Sequence, residues 1–245
     1  MYNSTKSTTF VLTNDSIMNK AYFFDMDGVL FDSMPNHAIA WEEVMKKYAL
    51  PFTARDCYLN EGRTGESVIR EAMWKARHRD ATPDEIQTIY AEKSAYFTVL
   101  EQKVGGTPTI PGVAEVLRHV ESCGDQIWVV TGSGMRSLLD NLNTVLPPVF
   151  SHERMITAFD VVKGKPDPEP YLKAWERSGL SKEQCVVIEN APLGVRSGKA
   201  AGLKVCAVNT GVLSNADLLL AGADNVFDSM QELLAYLQAE KSNIL

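Results

Sequence analysis

Cysteine is scarce in this chain of 245 residues: only Cys57, Cys123, Cys185 and Cys206, with no C-x-x-C pair and no histidine pair beside them. That pattern argues against a zinc framework or a disulfide scaffold and fits a reduced, cytoplasmic chain. Long apolar runs are missing too. None approaches the roughly 18 residues a membrane helix needs, so no membrane partner is expected. Positive charge is in deficit, with 24 Lys and Arg against 31 Asp and Glu, net −7. Such a field disfavours nucleic acid and anionic surfaces. An anionic substrate would then have to be attracted by a cation local to the site. Residues 1–19 are rich in Ser, Thr and Asn, lack a signal-peptide apolar stretch, and read as a mobile tail. Repeats and low-complexity linkers are absent, and nothing in the spacing demands an oligomer, so a monomer is expected.

Present instead is an ordinary globular composition, 45% hydrophobic and 22% charged, in a chain long enough for one large domain or two small ones. Ala21-Tyr22-Phe23-Phe24 is apolar without alternation, the pattern of a central parallel strand. Similar runs recur at 127–130, 186–188 and 205–208. Helix-period segments at 111–122, 135–145, 168–178 and 192–201 lie between them, most opened by proline and closed by glycine. Alternating units of this kind predict an α/β fold with a Rossmann-like, doubly wound parallel sheet, whose ligands sit beyond the carboxyl ends of the strands. The interval 36–104 breaks the rhythm. It holds a helical stripe Trp41, Val44, Met45, Tyr48 and a capping box at Thr82-Pro83-Asp84-Glu85, which opens a second stripe Ile86, Ile89, Tyr90, Lys93, Phe97, Leu100. A helical cap over 36–104 therefore interrupts a core made of 20–35 and 105–245, with Gly105-Gly106-Thr107-Pro108 as the return hinge.

The sharpest chemical signal is Asp25-Met26-Asp27-Gly28 at the end of the first strand. Two residues apart in extended chain, Asp25 and Asp27 share a face. Their carboxylates repel unless a divalent cation lies between them or one holds a proton. Either arrangement suits phosphoryl transfer, with one carboxylate attacking phosphorus and the other moving a proton. A solvated acidic turn reads equally well from this motif alone. Three further strand ends bear on the choice. Thr131-Gly132-Ser133-Gly134 offers a hydroxyl and small residues whose N–H groups can approach phosphate. Lys163-Gly164-Lys165-Pro166 offers a lysine on a stiff segment as a point charge. Glu189-Asn190 offers oxygen ligands for a hard cation. Taken singly, Thr131 could be a helix cap, Lys165 a solvated side chain and Glu189-Asn190 a polar turn; all four motifs in order favour a site.

From 21 to 236 the chain resembles the haloacid dehalogenase superfamily and, within it, the β-phosphoglucomutase-like subgroup. The resemblance implies Asp25 as a nucleophile that becomes an aspartyl-phosphate, and Asp27 as general acid/base whose carbonyl also binds Mg2+. It implies Thr131 and Lys165 holding the transferring phosphoryl group, with Gly132 and Ser133 beside it. Asn190 falls where the family has a magnesium-ligating aspartate, and Glu189 lies next to it as a further acid of the metal site. Glu61 and Gly65 stand where mutases carry cap-loop cations, and Thr131-Gly132-Ser133-Gly134 lacks the lysine mutases place there, which tells against a mutase. Glu61 on the lid, with Lys93 and His37 as neutralising cations, resembles the inorganic pyrophosphatase branch. For Lys93 a snorkelling side chain and for His37 a satisfied linker histidine remain open. The expectation is a Mg2+-dependent phosphohydrolase acting on a small phosphorylated substrate, with pyrophosphate first and a sugar-phosphate phosphatase or β-phosphoglucomutase as alternative. A receiver-like signalling protein or an inactive phosphate binder is the rival from outside the enzymes.

Overall fold

Strand β1 (Ala21–Phe24) is buried along its whole length, as expected of an apolar run with no solvent face. It lies in the middle of a six-stranded sheet of order β3-β2-β1-β4-β5-β6, every pair parallel. The other strands are β2 (Gln126–Val130), β3 (Met155–Ile156), β4 (Cys185–Glu189), β5 (Lys204–Val208) and β6 (Asn225–Phe227). The computed structural model describes residues 19–134 and 142–242. The expected tail thus lies almost wholly outside the described residues, as does most of the helix expected at 135–145, of which 142–145 are seen and are helical.

Alternation along β1 divides the core. Tyr22 and Phe24 join one apolar layer with α5 (Val113–Ser122) and α9 (Met230–Ser242). Ala21 and Phe23 face the other layer, with α6 (Glu169–Ser178), α7 (Pro192–Ala200) and α8 (Asn215–Ala221). This is the doubly wound α/β fold the sequence predicts, with two additions. The edge strands β3 and β6 are two and three residues long, too short to give a periodic signal.

Between β1 and α5 the chain makes α1 (Met34–Lys47), α2 (Ala54–Leu59), α3 (Gly65–Arg77) and α4 (Pro83–Val104), with no strand among them. These helices share a separate apolar cluster around Trp41, Met45, Ile69 and Met73. The capping box at Thr82 forms as expected, Thr82 accepting from the Glu85 N–H and Glu85 from the Thr82 N–H. The outgoing and returning chains run side by side: Asp32 N–H donates to the Pro108 carbonyl at 2.8 Å and Ile110 N–H to Leu30 at 3.0 Å. Gly105 and Gly106 next to this crossing have φ of 80° and 116°, which glycine adopts without steric cost.

Candidate active site

Parallel pairing places the carboxyl ends of β1, β2 and β4 together, since Phe24 is in register with Val129 and Ile188. The residues that follow each strand therefore meet: Asp25, then Thr131 to Ser133, then Asn190. The strand order reverses between β1 and β4, and crevices open at such points in doubly wound sheets. The helical unit roofs this one. The resulting cleft is lined by Asp25, Asp27, Thr131, Gly132 and Ser133 from below and by His37, Glu61 and Lys93 from the helical side. Its volume is about 560 Å³ measured out to solvent.

Asp25 is buried beneath the cleft floor and bonded through Oδ1 to Lys165 Nζ at 2.8 Å. Burial pushes its carboxyl up to about 7, against the pull of Lys165 and with Glu189 and Asp27 adding to the rise. Lys165 also donates to Glu189 Oε1 at 2.6 Å and to the Val130 carbonyl at 3.0 Å. All three ammonium protons thus have protein acceptors. Lys165 fixes Asp25, and could reach a phosphoryl oxygen only by giving up one of these bonds. Burial alone would lower its pKa, but Asp25 and Glu189 raise it above the ordinary lysine value.

Glu189 does not face the cleft. Its Oε1 accepts from Lys165 and from Tyr171 Oη (2.8 Å), and its Oε2 from the N–H groups of Asn190 and Ala191. With both oxygens occupied, Glu189 orders Lys165 and the turn after β4; it stands behind the site, as an acid beside Asn190, and not as the direct oxygen ligand the strand end by itself suggests. Asn190 is placed differently. Its Nδ2 donates to Glu61 Oε1 at 2.6 Å, and its Oδ1 is the one buried side-chain polar atom without a partner among the described residues. An orphaned buried oxygen is costly, and here it sits beside an acidic cluster. Glu61 is itself buried, which raises its pKa well above the ordinary value, with Asn190 pulling it down and Asp25 and Glu189 pushing it up. No group of three or more His, Cys, Asp or Glu side chains is arranged as a metal cluster among the described residues.

Asp27 is tied to the helical unit. Its Oδ1 accepts from Ser33 Oγ at 2.5 Å and from His37 Nε2 at 3.2 Å, while Lys93 Nζ donates to His37 Nδ1 at 2.6 Å. These partners define the His37 tautomer, protonated on Nε2. Burial would raise Asp27, yet His37, Ser33 and the more distant Lys93 hold it below the usual carboxylate range. Burial lowers Lys93 to about 8, and its ammonium lies 5.2 Å from the Trp41 ring centre and 5.1 Å from that of Phe97. Burial and Lys93 together lower His37. Both were expected to stand ready for a distal phosphate. The structure lines them up along the cleft wall, His37 on Asp27 and Lys93 on His37, because His37 and Lys93 lie on the buried faces of α1 and α4.

Every residue singled out from the sequence comes to this one region. Thr131 Oγ1 accepts from the Ser133 N–H at 2.9 Å, which shapes the turn after β2. Sequence reasoning missed the cleft's upper wall of Trp41, Phe52 and Tyr90. Trp41 and Tyr90 read as core stripe, and their position supplies no signal to say otherwise. Tyr171, wholly buried behind Glu189, carries no local signal either.

Residues 19–202 match the haloacid dehalogenase-like hydrolases, and the chain belongs to that family. It is 32% identical to hexitol phosphatase A of Escherichia coli K12 over 218 residues, 84% of this chain and 93% of that protein. It is 29% identical to a phosphorylated carbohydrates phosphatase of Thermotoga maritima, over 88% of this chain and all of that one. A Bacteroides vulgatus structure described as a "putative beta-phosphoglucomutase" superposes with a TM-score of 0.86 at 45% identity, over 94% of this chain and 92% of that one. The chain is thus an enzyme of the β-phosphoglucomutase-like, sugar-phosphatase subgroup. No relative named here is named for pyrophosphate, so the comparisons back the sugar-phosphate alternative over the pyrophosphate expectation.

Proposed function

We propose that the protein is a phosphohydrolase of small phosphorylated compounds, foremost sugar and polyol phosphates, acting through Asp25. The carrying observation is the Asp25 carboxylate at the cleft floor, locked through Oδ1 to Lys165 and leaving Oδ2 for in-line attack on phosphorus. The P–O bond to the leaving group breaks as Asp25 takes the phosphoryl group. Asp27, ionised in the free enzyme because His37, Ser33 and Lys93 hold its pKa down, takes up a proton as the anionic substrate binds beside it and gives that proton to the departing oxygen. The Asp27 carboxylate then takes a proton from water, whose attack on phosphorus releases phosphate and restores Asp25. Ser33 and His37 hold Asp27 toward the cleft throughout. The Thr131 hydroxyl and the Gly132 N–H are the hydrogen-bond donors for phosphoryl oxygens, while the Ser133 N–H is held by Thr131 Oγ1.

The donors beneath the cleft fit Mg2+: the orphaned Asn190 Oδ1 and the Asp25 carboxylate, to which the family resemblance adds the Asp27 carbonyl. Bound there, Mg2+ would offset the repulsion between phosphate and the acidic floor and draw Asp25 down from about 7 toward the anionic form a nucleophile needs. The aromatic wall of Trp41, Phe52 and Tyr90 supplies apolar faces for a carbon skeleton.

A second reading, inorganic pyrophosphate, is favoured by one observation. With the helical unit seated, Glu61 on its loop reaches across to Asn190 at 2.6 Å and closes that side of the cleft. A compact leaving group fits this space without movement of the roof. Phosphate release from a hexitol phosphate, glycerol phosphate and pyrophosphate, each with and without Mg2+, decides between them. The main reading expects Mg2+-dependent release with the polyol phosphates preferred. Preference for pyrophosphate establishes the second reading, and no release from any phosphate ester or anhydride would refute both.

A further inference from the structure

The loop 61–65 of the helical unit rests on glycines of the sheet unit. A Cβ built at Gly132 would overlap the carbonyl oxygen of Gly62 and stand 3.1 Å from that of Arg63. At Gly164 it would stand 2.8 Å from Thr64 Cγ2 and 3.0 Å from the Thr64 N–H nitrogen. Neither glycine has the positive φ that would itself exclude a side chain. In both cases the obstacle is the opposing loop: backbone alone at Gly132, and at Gly164 the short, branched Thr64 side chain with its own N–H nitrogen, neither of which can turn aside as a long side chain can. Glycine in a loop often marks such close backbone approach.

Seating has consequences for the cleft. Gly62 lies on the stem of Lys165, where a Cβ would meet Cδ at 2.8 Å. The neighbouring Glu61 reaches Asn190 at 2.6 Å. From the same side, Tyr90 Oη accepts from the Gly134 N–H at 3.3 Å. The depth at which loop 61–65 sits therefore sets how far Glu61 and Tyr90 intrude over Asp25.

Resting on the phosphohydrolase reading above, we propose that Gly132 and Gly164 determine specificity: they admit the cap loop to its full depth and so favour, among the phosphates the enzyme hydrolyses, those with the more compact leaving groups. A methyl group at either position would lift the loop by about 1 Å, because carbon atoms pack at about 3.5–4.0 Å. That lift breaks the Glu61–Asn190 bond and opens room above Asp25 at the expense of the fit to the smallest substrates.

The test is kcat/KM across a graded set (pyrophosphate, glycerol phosphate, a hexitol phosphate, a hexose phosphate) for wild type, Gly132→Ala and Gly164→Ala. Hydrogen exchange of the 61–65 amides in the same proteins without substrate gives a readout that does not depend on activity. Both variants are expected to fold, to exchange faster across 61–65, and to lower the ratio of kcat/KM for the smallest over the largest substrate by about tenfold, the scale of one methylene in a fitted site. Thr64→Ser in the Gly164→Ala background removes the clashing Cγ2 while keeping the hydroxyl that caps α3, and should restore most of the ratio. Because Gly164 donates nothing to a phosphate in this reading, that rescue separates loop depth from a disturbed backbone donor at Gly132. An equal fall on every substrate, unchanged exchange across 61–65 or absence of rescue overturns the proposal. Failure of both alanine variants to fold also overturns it, since the obstacle would then lie within the sheet unit. If wild type hydrolyses nothing in the set, the enzymatic reading fails, and the exchange result alone decides whether the glycines set the loop depth.

Discussion

Asp25→Asn should abolish turnover and, at neutral pH without metal, make the protein more stable. Asp25 carries a proton affinity raised from the model-peptide value of 3.8 to about 7. The folded state thus binds this proton more tightly than the unfolded chain. The stability associated with it is full below about pH 4 and is lost as pH rises through about 7. A rise of about three units corresponds to roughly 4 kcal/mol above pH 7. Asparagine has nearly the same shape, carries no charge to desolvate and escapes this cost. Losing the bond to the Lys165 ammonium returns part of the gain, so a net stabilisation of about 2–4 kcal/mol is expected. Lys165 itself keeps Glu189 and the Val130 carbonyl as partners. In a chain of this size each kcal/mol moves Tm by about 2–4 °C. Urea unfolding of wild type and variant in chelator, from pH 4 to 8.5, should show stabilities that converge at low pH, separate between about pH 4 and 7 and stay a constant distance apart above that. A variant no more stable than wild type at pH 8 refutes the desolvation argument, and substantial activity in the purified variant refutes Asp25 as nucleophile.

Asp27→Asn should leave substrate binding intact and slow turnover by about 10²–10⁴-fold, the usual worth of a general acid/base, as read from KM and kcat separately. Glu189→Gln leaves Lys165 and Tyr171 bonded to a weaker acceptor and disturbs the two N–H groups that Oε2 receives. Unfolding should show a loss of about 3–5 kcal/mol, as for a broken buried pair, whereas a loss below 1 kcal/mol would show that Glu189 does not organise the site. Asn190→Asp sets a carboxylate against Glu61 in place of an amide donor. It should lower stability in chelator and tighten Mg2+ binding, measured by calorimetry; weaker Mg2+ binding would remove Asn190 from the metal site.

What could be read along the chain is what local chemistry decides. An apolar tetrapeptide ending in Asp25, a proline-led start, a glycine stop and the Thr82–Glu85 capping box each act within a few residues, so their physics is printed in order. The helical interruption was legible for the same reason, because a change of hydrophobic period needs no partner. The edge strands β3 and β6 were not, since two or three residues acquire strand geometry only from the neighbour they pair with. The site divides in the same way. Asp25, Asp27, Thr131 and Asn190 announce themselves by residue type at strand ends, and parallel register carries them to one place; Lys165 joins them from the loop before α6. Their charge states and free atoms are collective properties. Glu189 and Asn190 are adjacent and look alike as oxygen ligands. Only packing shows that Tyr171 and Lys165 occupy the first and leave an oxygen of the second open. His37 and Lys93, 56 residues apart, become a pair under Asp27 because α1 packs on α4, and Trp41 and Tyr90 become cleft wall because the helical unit folds back over β1. Desolvation and the meeting of distant chain segments arise only on folding, and they decide which of the residues written in the sequence face the substrate.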